Sequence, residues 1–424
     1  MNPAPTWSRL DNVGKLFPAV FSDRLTNLFR LSVTLKTNVS QVFLQEALGN
    51  ILPLFPYYQV KLRGGWFWYS LIHDQKVHQV IPDGAYPCMP LTKDLPEEHL
   101  FRVRYYGKRF AVEFNHALTD GTGALIFLTH LLGEYLFLKG SLQERYSPWE
   151  EGRLSHPNAW EDAFTHHHNK IPSPPTLPKA FRIPGKLLPK GKYYATTGYL
   201  SVDGVKKLSK SYGVTITEFF FGHLFKSYMN LQDDLMRYNS KKKKPITLYC
   251  PVNLRNFFPS GTMRNYFLAV PLTIDPRLGN YTLEEVFKRV HDLLALEIDR
   301  RILKQRIVHN RKGELIFLAR LLPLFIKNWI IGIAFSQGSR EISGSLSNLG
   351  QVNLPPNWST EVDSFEFLPP PNHITKTAMS IISYGDKLAV SMGRLIPEPE
   401  LERRFFTSLR KAGLHIKIES NYGE

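Results

Sequence analysis

The feature that most narrows the fold is a change of hydrophobic period at one point in the chain. Residues 101–106 and 109–114 alternate with period two, as strands of a hairpin, and Gly107-Lys108 between them suits a two-residue type II′ turn with glycine first. Beyond Gly123 the period is helical, with Ala124, Leu125, Phe127, Leu128, Leu131, Leu132 and Leu138 on one recurring stripe. A strand that runs straight into a long apolar helix belongs to a layered α/β chain. The junction reads Phe114-Asn115-His116-Ala117-Leu118-Thr119-Asp120-Gly121-Thr122-Gly123. Phe110, Val112 and Phe114 share a face of the second strand, and strict alternation carries His116 to the same side.

A strand-to-helix junction can present an imidazole to a cleft while the flanking elements hold it still. Neutral imidazole accepts a proton from an alcohol or amine near neutral pH, provided its orientation is fixed. Asp120 can supply that orientation directly, or can pin the loop by pairing with an arginine. Gly121 and Gly123 allow a sharp turn and a close approach. The plainer reading makes His116 a satisfied histidine at a strand end and Asp120 a helix N-cap.

Strands are expected at 29–35, 66–72, 77–81, 193–202, 245–249, 342–348, 359–368, 378–384 and 387–394. Helices are expected at 40–52 with a Ser40 cap, 205–212, 217–231 with Thr217 as cap, 282–303 and 400–412. Residues 171–192 are rich in proline and read as an extended surface crossover. This divides the chain into an N-terminal half, 1–170, and a C-terminal half, 193–424. A length of 424 residues suits two domains sharing an interface, and 43% hydrophobic residues suffice for a full core.

The formal net charge of +16 implies an anionic partner such as nucleic acid, a membrane surface or a phosphorylated ligand. Nucleic acid finds no support, since the chain has no zinc-finger spacing, no RNP-like aromatic motif and no long basic helix, and Lys241–Lys244 read as a solvated loop. Two distant cysteines, Cys88 and Cys250, and a start without a signal-like apolar core fit a reducing, cytoplasmic setting. His166-His167-His168 reads as a polar helix end, and no metal site is expected. Residues 315–335 approach the length of a membrane span, but Arg320, Pro323, Lys327 and Asn328 interrupt them. A core helix pair, or one helix with an apolar lip, is the first reading there. Peripheral membrane or lipid contact is the second.

His116 to Gly121 resembles the HxxxDG motif of the coenzyme A-dependent acyltransferases, the superfamily of chloramphenicol acetyltransferase, the plant BAHD enzymes, condensation domains, wax ester synthases and alcohol acetyltransferases. Three further blocks are similar to that superfamily's, in the same order: Phe55-Pro56-Tyr57-Tyr58-Gln59-Val60-Lys61-Leu62-Arg63; Pro251-Val252-Asn253-Leu254-Arg255 with Asn265-Tyr266-Phe267; and Ser347-Asn348-Leu349-Gly350. The resemblance spans nearly the whole chain and looks nearest to the bacterial alcohol acetyltransferase branch. Asn115 stands where condensation domains often carry a second histidine, and the DFGWG block of the plant enzymes is missing.

The resemblance implies two chloramphenicol acetyltransferase-like α/β halves, each with a mixed sheet, and a tunnel between them holding His116. It implies an acyltransferase that moves a short acyl group, acetyl first of all, from coenzyme A to an alcohol, with His116 as general base and no permanently bound cofactor. Ser347 and Asn348 are the implied oxyanion donors, with Asn265 a weaker one. Asp120 and Gly121 support the loop, and Arg255 is the natural partner of Asp120, with Arg24 and Arg63 as alternatives. An amine or glycolipid acceptor, a carrier-protein thioester donor, and a catalytically silent ligand-binding relative are the competing readings.

Overall fold

A computed structural model describes residues 7–74, 76, 78–91, 99–145, 157–167, 171–238, 243–315 and 322–422. In chain order the strands are β1 (Trp7–Arg9), β2 (Leu28–Leu35), β3 (Val60–Gly64), β4 (Tyr69–His73), β5 (Val80–Pro82), β6 (Phe101–Tyr106), β7 (Arg109–Asn115), β8 (Tyr194–Ser201), β9 (Ile246–Asn253), β10 (Phe267–Ile274), β11 (Gly344–Gln351), β12 (Val362–Leu368), β13 (Thr377–Tyr384), β14 (Lys387–Arg394) and β15 (Lys417–Ser420). The helices are α1 (Leu16–Val20), α2 (Gln41–Ile51), α3 (Gly121–Leu138), α4 (Val202–Ser211), α5 (Ile216–Tyr238), α6 (Leu283–Glu297), α7 (Arg300–Leu315), α8 (Leu324–Gly338) and α9 (Glu400–Lys411).

The architecture is mixed α/β, with a five-stranded sheet in order β12-β2-β7-β6-β5, a seven-stranded sheet in order β10-β9-β11-β13-β14-β8-β15, and a small sheet β1-β4-β3. Two aromatic-rich cores result. One gathers Phe55, Tyr58, Phe101, Phe114 and Phe127 between the five-stranded sheet, α2 and α3. The other gathers Phe219, Phe220, Phe225, Phe287 and Phe405 against the larger sheet. β12 lies far beyond the crossover in sequence, yet it pairs antiparallel with β2, with Phe365 opposite Val33, and so completes the sheet of the first half.

The hairpin forms where the alternation places it, and Gly107 takes a positive φ of 52°. α3 is apolar and long enough, by length and composition, to cross a membrane, but it is largely buried and serves as a core helix. Residues 171–192 are extended apart from a bend and a turn.

Several elements depart from the sequence expectation for local reasons. The expected helix over 282–303 is two helices. Asp299 breaks the run by accepting the Arg301 and Ile302 amides at 2.8 and 3.3 Å, which caps α7. The cap of α5 is Thr215, not Thr217: Thr215 Oγ1 accepts the Glu218 amide while Glu218 Oε2 accepts the Thr215 amide, a reciprocal box. The strand expected at 66–72 starts only at Tyr69, because the Gly65 amide bonds the Trp68 carbonyl and turns the aromatic residues Trp66, Phe67 and Trp68 out at a hairpin tip. Of the apolar stretch 315–335, residues 316–321 lie outside the described residues, as do Lys241, Lys242, His168 and the first six residues.

Candidate active site

His116 follows β7 directly. Its amide donates to the Asn27 carbonyl at 2.9 Å, and its carbonyl accepts Asn265 Nδ2 at 2.8 Å, so both sides of its backbone are tied down. The half-buried ring stacks on Phe17 of α1 with centroids 5.1 Å apart, and Phe29 of β2 and Phe267 of β10 approach at 4.5 and 5.8 Å. Phe267 belongs to the seven-stranded sheet and Phe29 to the five-stranded one, so the imidazole sits where the two halves meet. Burial among aromatic rings pushes its pKa down to about 4, against the opposing pull of the Asp120 charge. The ring is neutral at pH 7, the form that accepts a proton.

Asp120 is committed elsewhere. Its Oδ1 accepts the Thr122 and Gly123 amides, each at 3.1 Å, which caps α3. Its Oδ2 accepts Arg255 Nη1 at 2.8 Å and the Tyr266 amide at 2.9 Å. Four donors fill the carboxylate, and the imidazole is not among them. Of the three arginines considered from sequence, Arg255 is the one in contact. It follows Asn253, whose Oδ1 caps the turn by accepting the Arg255 amide at 3.1 Å, and its guanidinium also reaches the carbonyls of Thr262 and Arg264. The pair is buried, with side chains 5% and 13% exposed. The carboxylate therefore ties the His116 loop to the end of β9 and the start of β10, combining the N-cap of the plainer reading with the arginine clamp.

The glycines act differently from the expectation of a sharp turn, since neither Gly121 nor Gly123 has a positive φ. What they lack is a Cβ. At Gly121 one would meet Leu349 Cδ2 at 2.7 Å; at Gly123 it would overlap Thr119 Oγ1 and the Met263 carbonyl oxygen. Gly123→Ala is therefore expected to cost about 1–3 kcal/mol as overpacking against backbone. Gly121→Ala should cost less, because the end of a leucine side chain can move. Thermal melts of the two variants check the order, and a larger loss at Gly121 would contradict it.

The remaining sequence candidates separate in space and use. Asn265 spends its amide on Asp11 and on the His116 carbonyl, so it positions the loop. Asn348 donates to Thr217 Oγ1 at 2.9 Å and accepts the Gly350 amide at 2.8 Å. Ser347 lies beside it in β11, opposite Ser380 of β13, and its half-buried hydroxyl has no protein partner among the described residues. Leu349 of the same block is the residue that packs on Gly121.

Sequence reasoning passed over Asp11, Phe17 and Phe29. Burial raises the Asp11 carboxyl to about 6, although the charge of Arg264 opposes this, and the carboxylate accepts the Gly14 amide at 2.6 Å and the Asn265 amide groups. Asp11 to Gly14 has the spacing of a tight turn, the one local signal for it; Phe17 and Phe29 reach His116 only through the tertiary fold. Cavities of about 640 and 380 Å³ lie between the two large sheets, near the β6–β7 hairpin tip, lined by Arg109, Tyr199, Glu366 and Glu419 among others.

No protein-family model matches the chain, and no curated protein is similar to it in sequence. Solved structures are similar in fold. Polyketide synthase associated protein 5 from Mycobacterium tuberculosis superposes with a TM-score of 0.60 at 14% identity, covering 96% of this chain and 98% of that one. TRI101 of F. graminearum, crystallised with coenzyme A and deoxynivalenol, gives 0.66 at 12% identity over 97% of this chain and 100% of that one. The chain shares its fold with TRI101 and with condensation domains. The starter condensation domain of rhizomide synthetase, solved in complex with C8-CoA, gives 0.60 at 12% identity, covering 96% of this chain and 95% of that one.

Proposed function

We propose that this chain transfers a short acyl group, acetyl in the first instance, from coenzyme A to an alcohol hydroxyl. The observation that carries the reading is His116, neutral at pH 7, fixed through both backbone groups and placed where the two halves meet. The histidine would take the proton of the acceptor hydroxyl as its oxygen attacks the thioester carbonyl, forming a C–O bond and a tetrahedral oxyanion. Collapse would break the C–S bond, and the imidazolium would return the proton to the departing thiolate. No acyl-enzyme is required, because base catalysis and positioning already act on the attacking group. Ser347 is the preferred oxyanion donor, since the Asn348 and Asn265 amides are engaged within the protein. Asp120 and Arg255 would hold the loop without touching the reacting atoms.

Coenzyme A and small acceptors bound to structures of the same fold support the choice of donor and of a small-molecule alcohol. The nearness to the alcohol acetyltransferase branch, the division into halves 1–170 and 193–424 and the cytoplasmic setting belong to the same proposal.

Acetyl-coenzyme A should bind in the micromolar to millimolar range, and raised salt should weaken binding, because phosphate attraction to a chain of charge +16 is screened over about 10 Å at 0.1 M salt. Calorimetric titration at two salt concentrations reads this, and free-thiol release with a panel of alcohols reads transfer. Thiol release with amines alone would move the reading to an amine acceptor. Absence of binding heat at every salt would overturn the coenzyme A donor in favour of a carrier-protein thioester or a silent binding protein.

A further inference from the structure

α8 is built the wrong way round for a helix of a water-facing protein. Its sequence, LFIKNWIIGIAFSQG, is mostly apolar, yet its one buried residue is a lysine, Lys327. Phe325 and Trp329 are 73% and 68% exposed, and Ile330 and Ile333 are exposed beside them. The tip of the β3–β4 hairpin lies against this helix and repeats the pattern, with Trp66 86% exposed and Phe67 and Trp68 exposed too; Trp7 of β1 adds a fourth indole.

The arrangement is held by polar contacts. The Leu324 amide donates to the Trp66 carbonyl at 2.8 Å, Lys327 Nζ donates to the Phe67 carbonyl at 2.9 Å, and Asn328 Nδ2 donates to the Tyr69 hydroxyl at 2.9 Å. The Lys327 ammonium also sits 3.5 Å from the centre of the Trp68 ring. Lys327 and Asn328 thus anchor the helix inward, while Phe325, Trp329, Ile330 and Ile333 are left outward.

Among the described residues, the charged side chains that line this face are positive. Two cavities run along it, of about 470 and 1090 Å³; beside the inward Lys327, the charged side chains lining them are Arg9, Lys15 and Arg63, with no carboxylate among the described residues. Exposed indoles with a basic rim match the acyl–headgroup boundary of an anionic bilayer, where tryptophan concentrates and each nearby lysine or arginine adds attraction. At 15 residues α8 spans about 22 Å, short of the ~30 Å hydrocarbon core, so it can lie in the interface but not cross it.

We propose that α8 and the β3–β4 tip form a docking surface for an anionic phospholipid bilayer. The inference rests on the exposure and charge of this face, independently of the acyl-transfer reading. The surface is also close to the candidate site: α8 packs on α1, whose Phe17 ring lies on His116. Docking would bring that side of His116 toward the lipid.

The full chain is mixed with phosphatidylcholine vesicles, with and without phosphatidylglycerol, and tested by flotation. It should float with the anionic vesicles and less so in high salt. Four of the seven tryptophans lie on this face, so emission should shift to the blue and be quenched by brominated lipid, a readout that needs no variant. The combined Trp66→Ser, Phe325→Ser and Trp329→Ser variant should lose at least tenfold in partitioning with little change in melting temperature. Arg63→Gln should lose about fivefold on anionic vesicles alone. No binding by the unaltered chain, or equal binding by the serine variant, would overturn the proposal. So would a dimer in buffer that the serine variant makes monomeric, since a second copy would then cover the face. Vesicle binding is read without turnover, so an inactive chain that floats leaves this proposal standing and counts only against the transfer reading.

Discussion

Replacing His116 by alanine is expected to lower thiol release from acetyl-coenzyme A by about 10²–10⁴-fold, the usual cost of removing a general base, while the chain stays folded. The fold should survive because the hydrogen bonds that fix the residue's position are made by its backbone, while the ring packs against Phe17, Phe29 and Phe267. The pH profile gives a second reading of the same group. Burial lowers the His116 pKa from 6.5 to about 4, so the acid limb of kcat/KM should fall near pH 4. The sign for stability follows from the same shift. Between pH 6.5 and about 4 the unfolded chain binds a proton at this residue that the folded chain refuses, so the contribution of His116 to stability declines as pH falls through that window. His116→Ala should flatten that part of the stability curve. Near-normal turnover by the alanine variant would remove His116 from the mechanism.

Asp120→Ala is expected to act mainly through the fold, at a cost of about 3–5 kcal/mol, because it strands the Arg255 guanidinium, 13% exposed, without its counter-charge. Loss of the N-cap on α3 adds about 1 kcal/mol. Arg255→Ala should also be severe, leaving the carboxylate beside His116 uncompensated and the Thr262 and Arg264 carbonyls without their donors. The double variant should lose clearly less than the sum of the two, since neither charge is then left alone. Denaturant melts of the four proteins close the cycle, and strictly additive losses would show that the two side chains are not coupled. Wherever Asp120→Ala is still folded, its transfer should exceed that of His116→Ala, which separates support of the loop from chemistry.

What was legible in the sequence was legible because it is local. The change of period at Gly123 marks α3 correctly, and Gly107 marks the hairpin turn, since each depends on neighbours within a few residues. The Asp120–Arg255 contact could be anticipated from the order of motif blocks, although 135 residues separate the partners. The misreadings also have local causes. One aspartate, Asp299, starts a new helix inside an unbroken apolar period, and the Gly64-Gly65 turn makes an aromatic run look like a strand. The aromatic cage of His116 could not be read as such: Phe267 stands in a motif block, but Phe17 and Phe29 carry no mark in sequence that separates them from the other phenylalanines of the core.

The pairing of β12 with β2 has a consequence for how the chain is made. A ribosome releases β2, β6 and β7 early, but the strand that covers the outer edge of β2 follows roughly 250 residues later, a delay on the order of tens of seconds at ordinary elongation rates. Throughout that interval the nascent first half carries an apolar open edge, Leu28, Leu31, Val33 and Leu35 included, ready to pair with any other strand. Until β12 arrives, that edge is a site where the nascent chain can pair wrongly. A translation product stopped short of residue 362 leaves both sheets incomplete and the outer edge of β2 unpaired, the condition under which a strand recruits foreign partners.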